Sequence, residues 1–413
     1  MNILWITNIV MPEAESLLTS SVKLSGSGGW MVGLSESLSE RTSIKLYIVA
    51  VTRKVANLTK LHGKTITYYL LPSNNYKLYW KKVKEDTCPD VVHLHGTEYP
   101  WGKSYIDVCG TDNVVVSIQG LLSSYYYYYY CGLTKSQILQ NITLNSMFRG
   151  GIFRGYRQFK KDSNREKELL SHLKHVIGRT TWDRAHTWAI NPNAEYHFCN
   201  EILRKEFYDG SKWSIEGCKR FTIFLSQGTY PIKGLHQVLK ALPFIKRHFP
   251  GVQLRIAGRD ITQRKGLKGI LRYSDYAKII KKMISELHLD GHVSFIGALD
   301  ADGMKREYLN ANVFVCPSSI ENSPNSLGEA QILGVPCISA NVGGVADMIP
   351  DPGCGVMYRF EEVECLAKAV CDIFSKNCFE DQLHMIKIAT QRHDPINNTQ
   401  VLVDIYEKIC RKC

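Results

Sequence analysis

Short apolar runs alternate with amphipathic stretches in the first half of the chain. An apolar run at residues 2–7 precedes a Ser/Gly-rich stretch, and apolar residues then recur at helical spacing over residues 29–38 before a second run at 44–51. This order predicts strand, glycine loop, helix and strand. Continuous apolar runs are typical of parallel strands buried on both faces, and further examples lie at residues 91–94, 113–118 and 175–177.

The same pattern begins again at residues 220–225. That run leads into a loop over residues 226–234, a stretch with an apolar helical face from Leu235, and another strand. We therefore predict an α/β protein of two Rossmann-like, doubly wound parallel-sheet domains, covering residues 1–215 and 216–393. Open parallel sheets bind ligands beyond the carboxyl ends of their strands, so we expect the domains to face a central cleft.

Composition restricts the class of protein and its partners. The 413 residues carry a formal charge of +12 and a pI near 9.0, which favours anionic partners such as nucleotides, nucleic acid or an acidic membrane face. No apolar run of about 18 residues occurs, which argues against a membrane-spanning helix. The N-terminus lacks a basic leader and the 13 cysteines are mostly isolated, so we expect a reduced, cytoplasmic protein.

The stretch from Glu321 to Glu329 is the first candidate for chemistry. It follows an apolar run at residues 312–316 and places two carboxylates eight positions apart around a Ser-Pro-Asn-Ser turn, at which a helix is predicted to begin. Backbone N–H groups at a helix start attract phosphate through hydrogen bonds and the helix dipole. The sequence therefore predicts a diphosphate site at this turn.

Each charged residue of this candidate site also has a purely structural interpretation. Glu329 stands three residues after Ser326, which is the spacing of a capping box. Glu321 has the alternative of a solvated loop charge. Lys233 precedes Gly234 at the start of a predicted helix, where a cation opposes the helix dipole. That placement favours an anionic ligand over an exposed loop lysine.

The glycine loop of the first half contains Gly28 and Gly29, which let the backbone approach a ligand closely. The loop lacks the third glycine of the dinucleotide fingerprint, and the following strand ends without the acidic residue that would hold a ribose. Hydride transfer with a dinucleotide is therefore disfavoured.

Together these motifs resemble the signature of retaining glycosyltransferases of family 4, which have the GT-B fold. The resemblance rests on Glu321 and Glu329 with seven residues between them, on Lys233 in its glycine loop, and on Gly28 and Gly29. It extends over nearly the whole chain, and it implies that the C-terminal helix, residues 394–413, packs back against the first domain.

The resemblance also implies a role for each residue. Glu321 is implied to contact the hydroxyls of the donor sugar, Glu329 the ribose, and Lys233 the diphosphate, with Glu321 and Lys233 as the catalytic residues. The backbone amides implied as further phosphate donors are those around Asn325, Ser326 and Leu327.

The chain departs from the family pattern at two positions. Many members have Arg where this chain has Gly228. Arg179, just after the last predicted strand of the first domain, is our candidate to replace that charge. Where many members have His after a first-domain strand, this chain has Gln119, whose amide can contact a sugar but cannot act as a base. His95 and Glu98, at another strand end, are further candidates for sugar or acceptor contact.

Two patterns resemble metal sites but have simpler explanations. Asp300 and Asp302 form the DxD of metal-dependent glycosyltransferases, yet they open a predicted helix, where Asp is a good cap. Cys410 and Cys413 have CxxC spacing without a second pair, which favours a frayed tail. We expect no metal and no cofactor, with a nucleotide-diphosphate sugar as co-substrate.

Residues 148–161 interleave Phe and Tyr with Arg and Lys. The first domain binds the acceptor in this family, and such a mixture suits an anionic membrane that carries a lipid-linked acceptor, which would place the protein on the inner face of the membrane. A solvated helix face with partly buried aromatic residues is the alternative. No nucleic-acid-binding module accompanies the stretch, so we do not expect nucleic acid as a partner.

The residues and the resemblance thus lead to one expected function and two alternatives. The expected function is that of a retaining hexosyltransferase, which moves a sugar from a nucleotide-diphosphate donor to a hydroxyl of a glycan or lipid-linked acceptor in cell-surface polysaccharide biosynthesis. The alternatives are a non-hydrolysing nucleotide-sugar epimerase of the same fold and a catalytically silent sugar-nucleotide binding protein. The sequence does not identify the base, the sugar or the acceptor.

Overall fold

A computed structural model describes residues 1–19, 29–263, 266, 273–376 and 378–411. The chain divides into two compact units. Unit 1 consists of Met1–Ser123, Lys161–Arg204 and His393–Cys413, and unit 2 of Ser124–Lys160 and Lys205–Arg392.

The strands of unit 1 are β1 (Asn2–Thr7), β2 (Lys45–Thr52), β3 (Thr59–His62), β4 (Thr67–Pro72), β5 (Val91–His95), β6 (Val114–Ser117), β7 (His175–Gly178) and β8 (Glu195–Phe198). They form one sheet in the order β3-β4-β2-β1-β5-β6-β7-β8, which is parallel except for the antiparallel pair β3 and β4. Alternate residues of β1 enter two different cores. Ile3 and Trp5 pack on one face, and Leu4 and Ile6 on the other. Because both faces are covered, the strand is apolar from Ile3 to Ile6.

The helices of unit 1 are Pro12–Thr19, Gly29–Ser39, Trp80–Thr87, Trp101–Cys109, Thr181–Ile190 and Pro395–Cys410. The division between the units falls inside two further helices, Leu122–Tyr125 and Gly151–His172. None of the described helices combines the length and apolarity needed to cross a bilayer.

The strands of unit 2 are β9 (Thr222–Leu225), β10 (Gln253–Ile256), β11 (Val293–Phe295), β12 (Val313–Cys316), β13 (Cys337–Ala340) and β14 (Val356–Tyr358). They form a parallel sheet in the order β11-β10-β9-β12-β13-β14. Its α-helices are Lys135–Gln140, Leu144–Arg149, Leu235–His248, Asp275–Glu286, Ala301–Asn310, Asn325–Leu333, Val363–Ser375 and Gln382–Arg392. Since β9 pairs with β12, the loops that follow these two strands leave the sheet side by side.

Short 3-10 helices complete the connections; they are Tyr76–Tyr79, Tyr126–Tyr128, Lys205–Phe207, Pro231–Lys233, Val345–Asp347 and Pro352–Cys354.

The units differ from the predicted domain boundaries at residues 205–215, which cluster with unit 2, and in one larger segment. Residues 124–160, which we expected in the first domain, cluster with unit 2. The reason is apolar packing, because Cys131, Leu133, Ile138 and Ile152 are buried in the core of unit 2. The helix Pro395–Cys410 belongs to unit 1, where Leu402 and Tyr406 pack in the same core as Ile3 and Trp5.

Candidate functional site

The loop after β9 carries Lys233. The loop closes with the 3-10 helix Pro231–Lys233, and Gly234 then begins the helix Leu235–His248 with a φ of +69°. A Cβ at Gly234 would clash with the carbonyl oxygen of Pro317. Both the left-handed backbone and this close approach therefore require glycine.

The loop after β12 carries Glu321 and is held by two neighbouring loops. The amide of Ser319 donates to the carbonyl of Ile232 at 2.9 Å, and the amide of Gly344 donates to the carbonyl of Glu321 at 3.0 Å. Gly343 has a φ of +53°, and a Cβ there would clash with the same carbonyl oxygen. These contacts fix the backbone from which the Glu321 carboxylate projects.

Lys233 and Glu321 meet as an ion pair. Nζ of Lys233 donates to Oε1 of Glu321 at 2.5 Å, and the side chains are 22% and 9% exposed. Burial lowers the pKa of Lys233, but the negative charge and hydrogen bond of Glu321 outweigh it, so the pKa stands above its usual value. The lysine is therefore charged at neutral pH. Both groups can exchange their present partner for a ligand, the ammonium for a phosphate and the carboxylate for hydroxyl groups.

The helix Asn325–Leu333 begins four residues after Glu321. Its N-cap residue is Pro324, which provides no side-chain hydrogen bond. The amide of Leu327 donates to the carbonyl of Pro324 at 2.9 Å, so this predicted phosphate donor is already used within the first turn. Asn325 and Ser326 occupy the first two helical positions, whose N–H groups an α-helix itself does not bond.

Glu329 lies inside this helix, and the capping-box alternative for it is wrong. A capping box would need Ser326 at the N-cap, but Ser326 is the second residue of the helix. Glu329 is buried. The hydroxyl of Tyr308 donates to the carbonyl of Ser326 at 2.9 Å and lies 3.4 Å from Oε2 of Glu329. Tyr308 thus connects the carboxylate to the start of the helix.

In unit 1, Asn8, Glu98 and Gln119 gather at the carboxyl ends of β1, β5 and β6. Gly96 follows β5 with a φ of +88°, and a Cβ there would clash with Glu98 and Asn8 and lie 3.1 Å from Oε1 of Gln119. The Glu98 carboxylate accepts from the amide of Gly120 and from Nδ2 of Asn8, both at 3.3 Å. Burial raises the pKa of Glu98 to about 7, so this carboxyl group titrates near neutrality.

His95, the last residue of β5, is buried, and neither ring nitrogen has a hydrogen-bond partner among the described residues. Its ring centroid lies 3.9 Å from that of His93 and 4.3 Å from that of Trp5. Burial lowers the pKa of His95 well below its usual value, so the ring is neutral. A buried imidazole without partners is rare, and it marks a position where a polar ligand group would gain hydrogen bonds.

Arg179 follows β7 in unit 1 and is 4% exposed. Its guanidinium forms an ion pair with the buried carboxylate of Glu201, and its amide donates to Asp183 at 2.9 Å. A phosphate would have to displace Glu201 to reach this charge. The pairing therefore weakens the prediction that Arg179 replaces the arginine missing at position 228.

Comparison with known proteins identifies the larger part of unit 2. Residues 211–392 match the family model of the glycosyl transferases group 1. Over this part of its length the chain is similar to group 1 glycosyl transferases. The GDP-mannose-dependent alpha-(1-6)-phosphatidylinositol monomannoside mannosyltransferase of Mycolicibacterium smegmatis is 25% identical over 152 residues, which are 35% of this chain and 36% of that relative. The matched part thus spans little more than a third of the relative's length.

Solved structures show the fold of the whole chain. Sucrose-phosphate synthase from Thermosynechococcus elongatus superposes with a TM-score of 0.74 at 14% identity, over 100% of this chain and 99% of that one. Anabaena HepE in complex with UDP-glucose superposes with a TM-score of 0.68 at 14% identity, over 98% and 99%. The predicted GT-B fold, with two parallel-sheet α/β domains, is confirmed.

Gly228 of unit 2 lies in a confined place. A Cβ there would lie 3.1 Å from both Cγ2 of Ile256 and Cδ2 of Leu235. Such contacts are tighter than ordinary van der Waals packing, so these neighbours would have to move to admit a side chain. The neighbouring strand and helix therefore leave room only for glycine at this position. Lys233 is the cation that the β9 loop itself contributes.

Four other predictions concern residues away from the ion pair. Gly28 and Cys413 lie outside the described residues. A Cβ at Gly29 would come 2.8 Å from Cδ of Arg204, so the glycine makes room for the arginine side chain. Asp300 is a helix cap, as predicted, because its side chain accepts from the amide of Gly303 at 2.8 Å. The frayed tail is wrong at Cys410, which ends the helix Pro395–Cys410.

The sequence interpretation missed several residues of these sites. Asn8 directly follows a predicted strand, so the rule that strand ends carry ligands would have found it. Glu201 and Tyr308 have no such signal, because they reach Arg179 and Glu329 only through the tertiary fold.

Proposed function

We propose that this chain is a retaining hexosyltransferase that moves a sugar from a nucleotide-diphosphate donor to a hydroxyl of a glycan or lipid-linked acceptor. The observation that carries the proposal is the Lys233–Glu321 ion pair, in which the loop after β9 meets the loop that leads into the helix Asn325–Leu333, within the residues that match the group 1 family model. A cation, a carboxylate and a helix N-terminus are the groups that a diphosphate joined to a sugar requires.

The chemistry follows from the charges that develop as the sugar–phosphate bond breaks. Negative charge grows on the departing diphosphate, where Lys233 and the amides of Asn325 and Ser326 stabilise it. Glu321, released from Lys233, holds the sugar through its hydroxyl groups, and Glu329 is assigned to the ribose. The departing phosphate takes the proton of the acceptor hydroxyl, so that no separate base is needed. No metal takes part, because the protein's own cation and amides hold the diphosphate.

The comparisons supply the chemical classes of donor and acceptor for this proposal. The solved HepE complex contains UDP-glucose, and the mycobacterial relative is named for a GDP-mannose donor and a phosphatidylinositol acceptor. We assign a nucleotide sugar as the donor here and a lipid-linked glycan of cell-surface polysaccharide synthesis as the acceptor, met at the cytoplasmic face of a membrane. Glu98, Gln119 and His95 are the residues of unit 1 that we assign to acceptor or sugar contact.

The test measures release of nucleoside diphosphate from a panel of UDP- and GDP-sugars, with and without candidate acceptors and in the presence of EDTA. Glu321→Gln should lower turnover at least about 100-fold by removing an interaction with the reacting sugar. Glu307→Gln is the matched control, because Glu307 is a partly buried carboxylate of the same unit paired with Arg255 at 2.7 Å. Unchanged turnover in Glu321→Gln would overturn the proposal.

The same assay separates the two alternatives. An epimerase would convert the nucleotide sugar to its epimer without releasing diphosphate in an acceptor-dependent way. A silent binding protein would give a thermal shift with a nucleotide sugar and no product.

A further inference from the structure

Residues 139–148 of unit 2 form a surface rich in exposed apolar side chains. Its large exposed residues are Leu139, Ile142, Leu144, Met147 and Phe148. Phe148 is 89% exposed, Met147 71% and Leu144 68%. Single exposed apolar residues are common in soluble proteins, but five within ten positions mark a surface that another body covers. We refer to it as the 139–148 surface.

A rigid support holds the 139–148 surface on unit 2. Ile138 and Ile152, just outside it, are buried in the core of unit 2. The buried carboxylate of Asp275 accepts from the amide of Thr143 at 2.8 Å, from its hydroxyl at 3.1 Å, and from the amide of Ile152 at 3.4 Å. The fold therefore buries some apolar residues of this segment and presents others to the outside.

The charge of the segment identifies the kind of partner. Residues 124–160 contain no Asp or Glu, and they contain five basic residues, all of them exposed: Lys135, Arg149, Arg154, Arg157 and Lys160. Three of these basic residues follow the apolar ones within ten positions. Exposed apolar side chains beside exposed cations suit an anionic bilayer, whose headgroups attract the cations while its interface takes up the apolar groups.

We propose that the 139–148 surface inserts into the interface of an anionic lipid bilayer, with Arg149, Arg154 and Arg157 contacting lipid phosphates. The binding itself stands on the exposure and charge of this segment. Its purpose, which is to bring unit 2 to a lipid-linked acceptor, rests on the proposed function.

The experiment is sedimentation of the full chain with vesicles of phosphatidylcholine alone and of phosphatidylcholine with about one-third phosphatidylglycerol. Wild-type protein should sediment with the anionic vesicles, and salt should weaken its binding. The double variant Met147→Ser, Phe148→Ser should lower the partition coefficient at least about tenfold through lost apolar contact. Arg154→Gln should lower it about fivefold.

Leu383→Ser and Ile396→Ser are the matched controls. Leu383 and Ile396 are 80% and 81% exposed but lie outside residues 124–160, so their loss should leave vesicle binding unchanged. Because all of these side chains project from the surface, the variants should keep the thermal midpoint of the wild type, and that measurement excludes unfolding as the cause.

Several outcomes would overturn the inference. They are absence of wild-type binding to anionic vesicles, equal losses in the test and control variants, and a Phe148-dependent dimer in solution that would make the 139–148 surface an interface between copies. Diphosphate release with a soluble acceptor is measured on the same variants. If the wild type fails to bind anionic vesicles but releases diphosphate, only the membrane surface is rejected. If it binds the vesicles but releases no diphosphate, only the proposed function is rejected.

Discussion

Under the proposed function, the ion pair between Lys233 and Glu321 opens when a donor binds, because each group can contact the donor only by leaving the other. In the structure the pair is mostly buried, so neither charge can lose its partner without receiving another. Before the donor binds, the ion pair therefore holds both charged side chains in position.

We predict strong coupling between Lys233 and Glu321 in stability. Lys233→Met or Glu321→Gln alone should lower the free energy of unfolding by roughly 1–3 kcal/mol, because each leaves a largely buried polar partner unpaired. The double variant should lower the free energy of unfolding by less than the sum of the two single losses. Urea denaturation of the four proteins in a double-mutant cycle measures this, and additive costs would show that the pair contributes no coupling.

Glu98 should make stability depend on pH. Its pKa is about 7 in the fold against an ordinary 4.5, so the folded state holds this proton more tightly than the unfolded chain does. The contribution is complete below about pH 4.5 and is lost as the pH rises through about 7. Glu98→Gln should therefore gain stability relative to wild type between about pH 5 and pH 8. Urea denaturation measures the free energy of unfolding of both proteins across this range. If the two values changed in parallel with pH, the raised pKa would be contradicted.

At the scale of elements, two loops meet because β9 and β12 are neighbours in the sheet. Gly234 and Gly343 allow the backbone of one loop to touch the carbonyl oxygens of another. The sequence motif around Lys233 and Glu321 thus includes glycines whose function is to bring the loops together.

Gly234→Ala and Gly343→Ala should each destabilise unit 2 by at least about 1 kcal/mol, because alanine is strained at positive φ and its Cβ would clash with a carbonyl oxygen. The thermal shift caused by the donor should fall in both variants. Gly251→Ala is the control, since no atom lies within 4 Å of a Cβ there. Equal effects in all three would argue against the close approach of the loops.

Apolar runs predicted some strands and not others. The eight runs identified in the sequence all form strands, with boundaries within two residues of those predicted. The antiparallel strand β3 was missed because its residues Thr59–His62 alternate between partly buried and exposed at the edge of the sheet. Strands of three residues, such as β11 and β14, give too short a signal to separate from a loop.

At the scale of the whole molecule, residues far apart in the chain, Trp5 and Tyr406, meet in the core of unit 1. The hydroxyl of Tyr406, near the C-terminus, accepts from Nε1 of Trp5 at 3.0 Å and bonds Nδ1 of His93 at 2.6 Å. Ser117 continues the network through Nε2 of His93 at 2.6 Å. The last helix therefore completes the core beneath the strand ends that carry His95 and Glu98.

Tyr406→Phe should lower the free energy of unfolding by about 1–3 kcal/mol, because it leaves two buried partners without a hydrogen bond. Tyr358→Phe is the matched control. The hydroxyl of Tyr358 is buried without a partner among the described residues, so its removal should be neutral or slightly stabilising. Urea denaturation measures both, and equal costs would contradict the role of the Tyr406 network.

The sequence by itself determined the fold class and the residues that meet in unit 2. Apolar runs specify buried parallel strands because burial on both faces leaves no polar positions, and ligand groups at strand ends fall at one edge of the sheet. Only the tertiary structure decided the partners. Local sequence cannot show that Arg179 is paired with Glu201, that Tyr308 donates to the carbonyl of Ser326, or that residues 124–160 pack on unit 2. Those contacts depend on which distant segments share a core, and local periodicity carries no information about that.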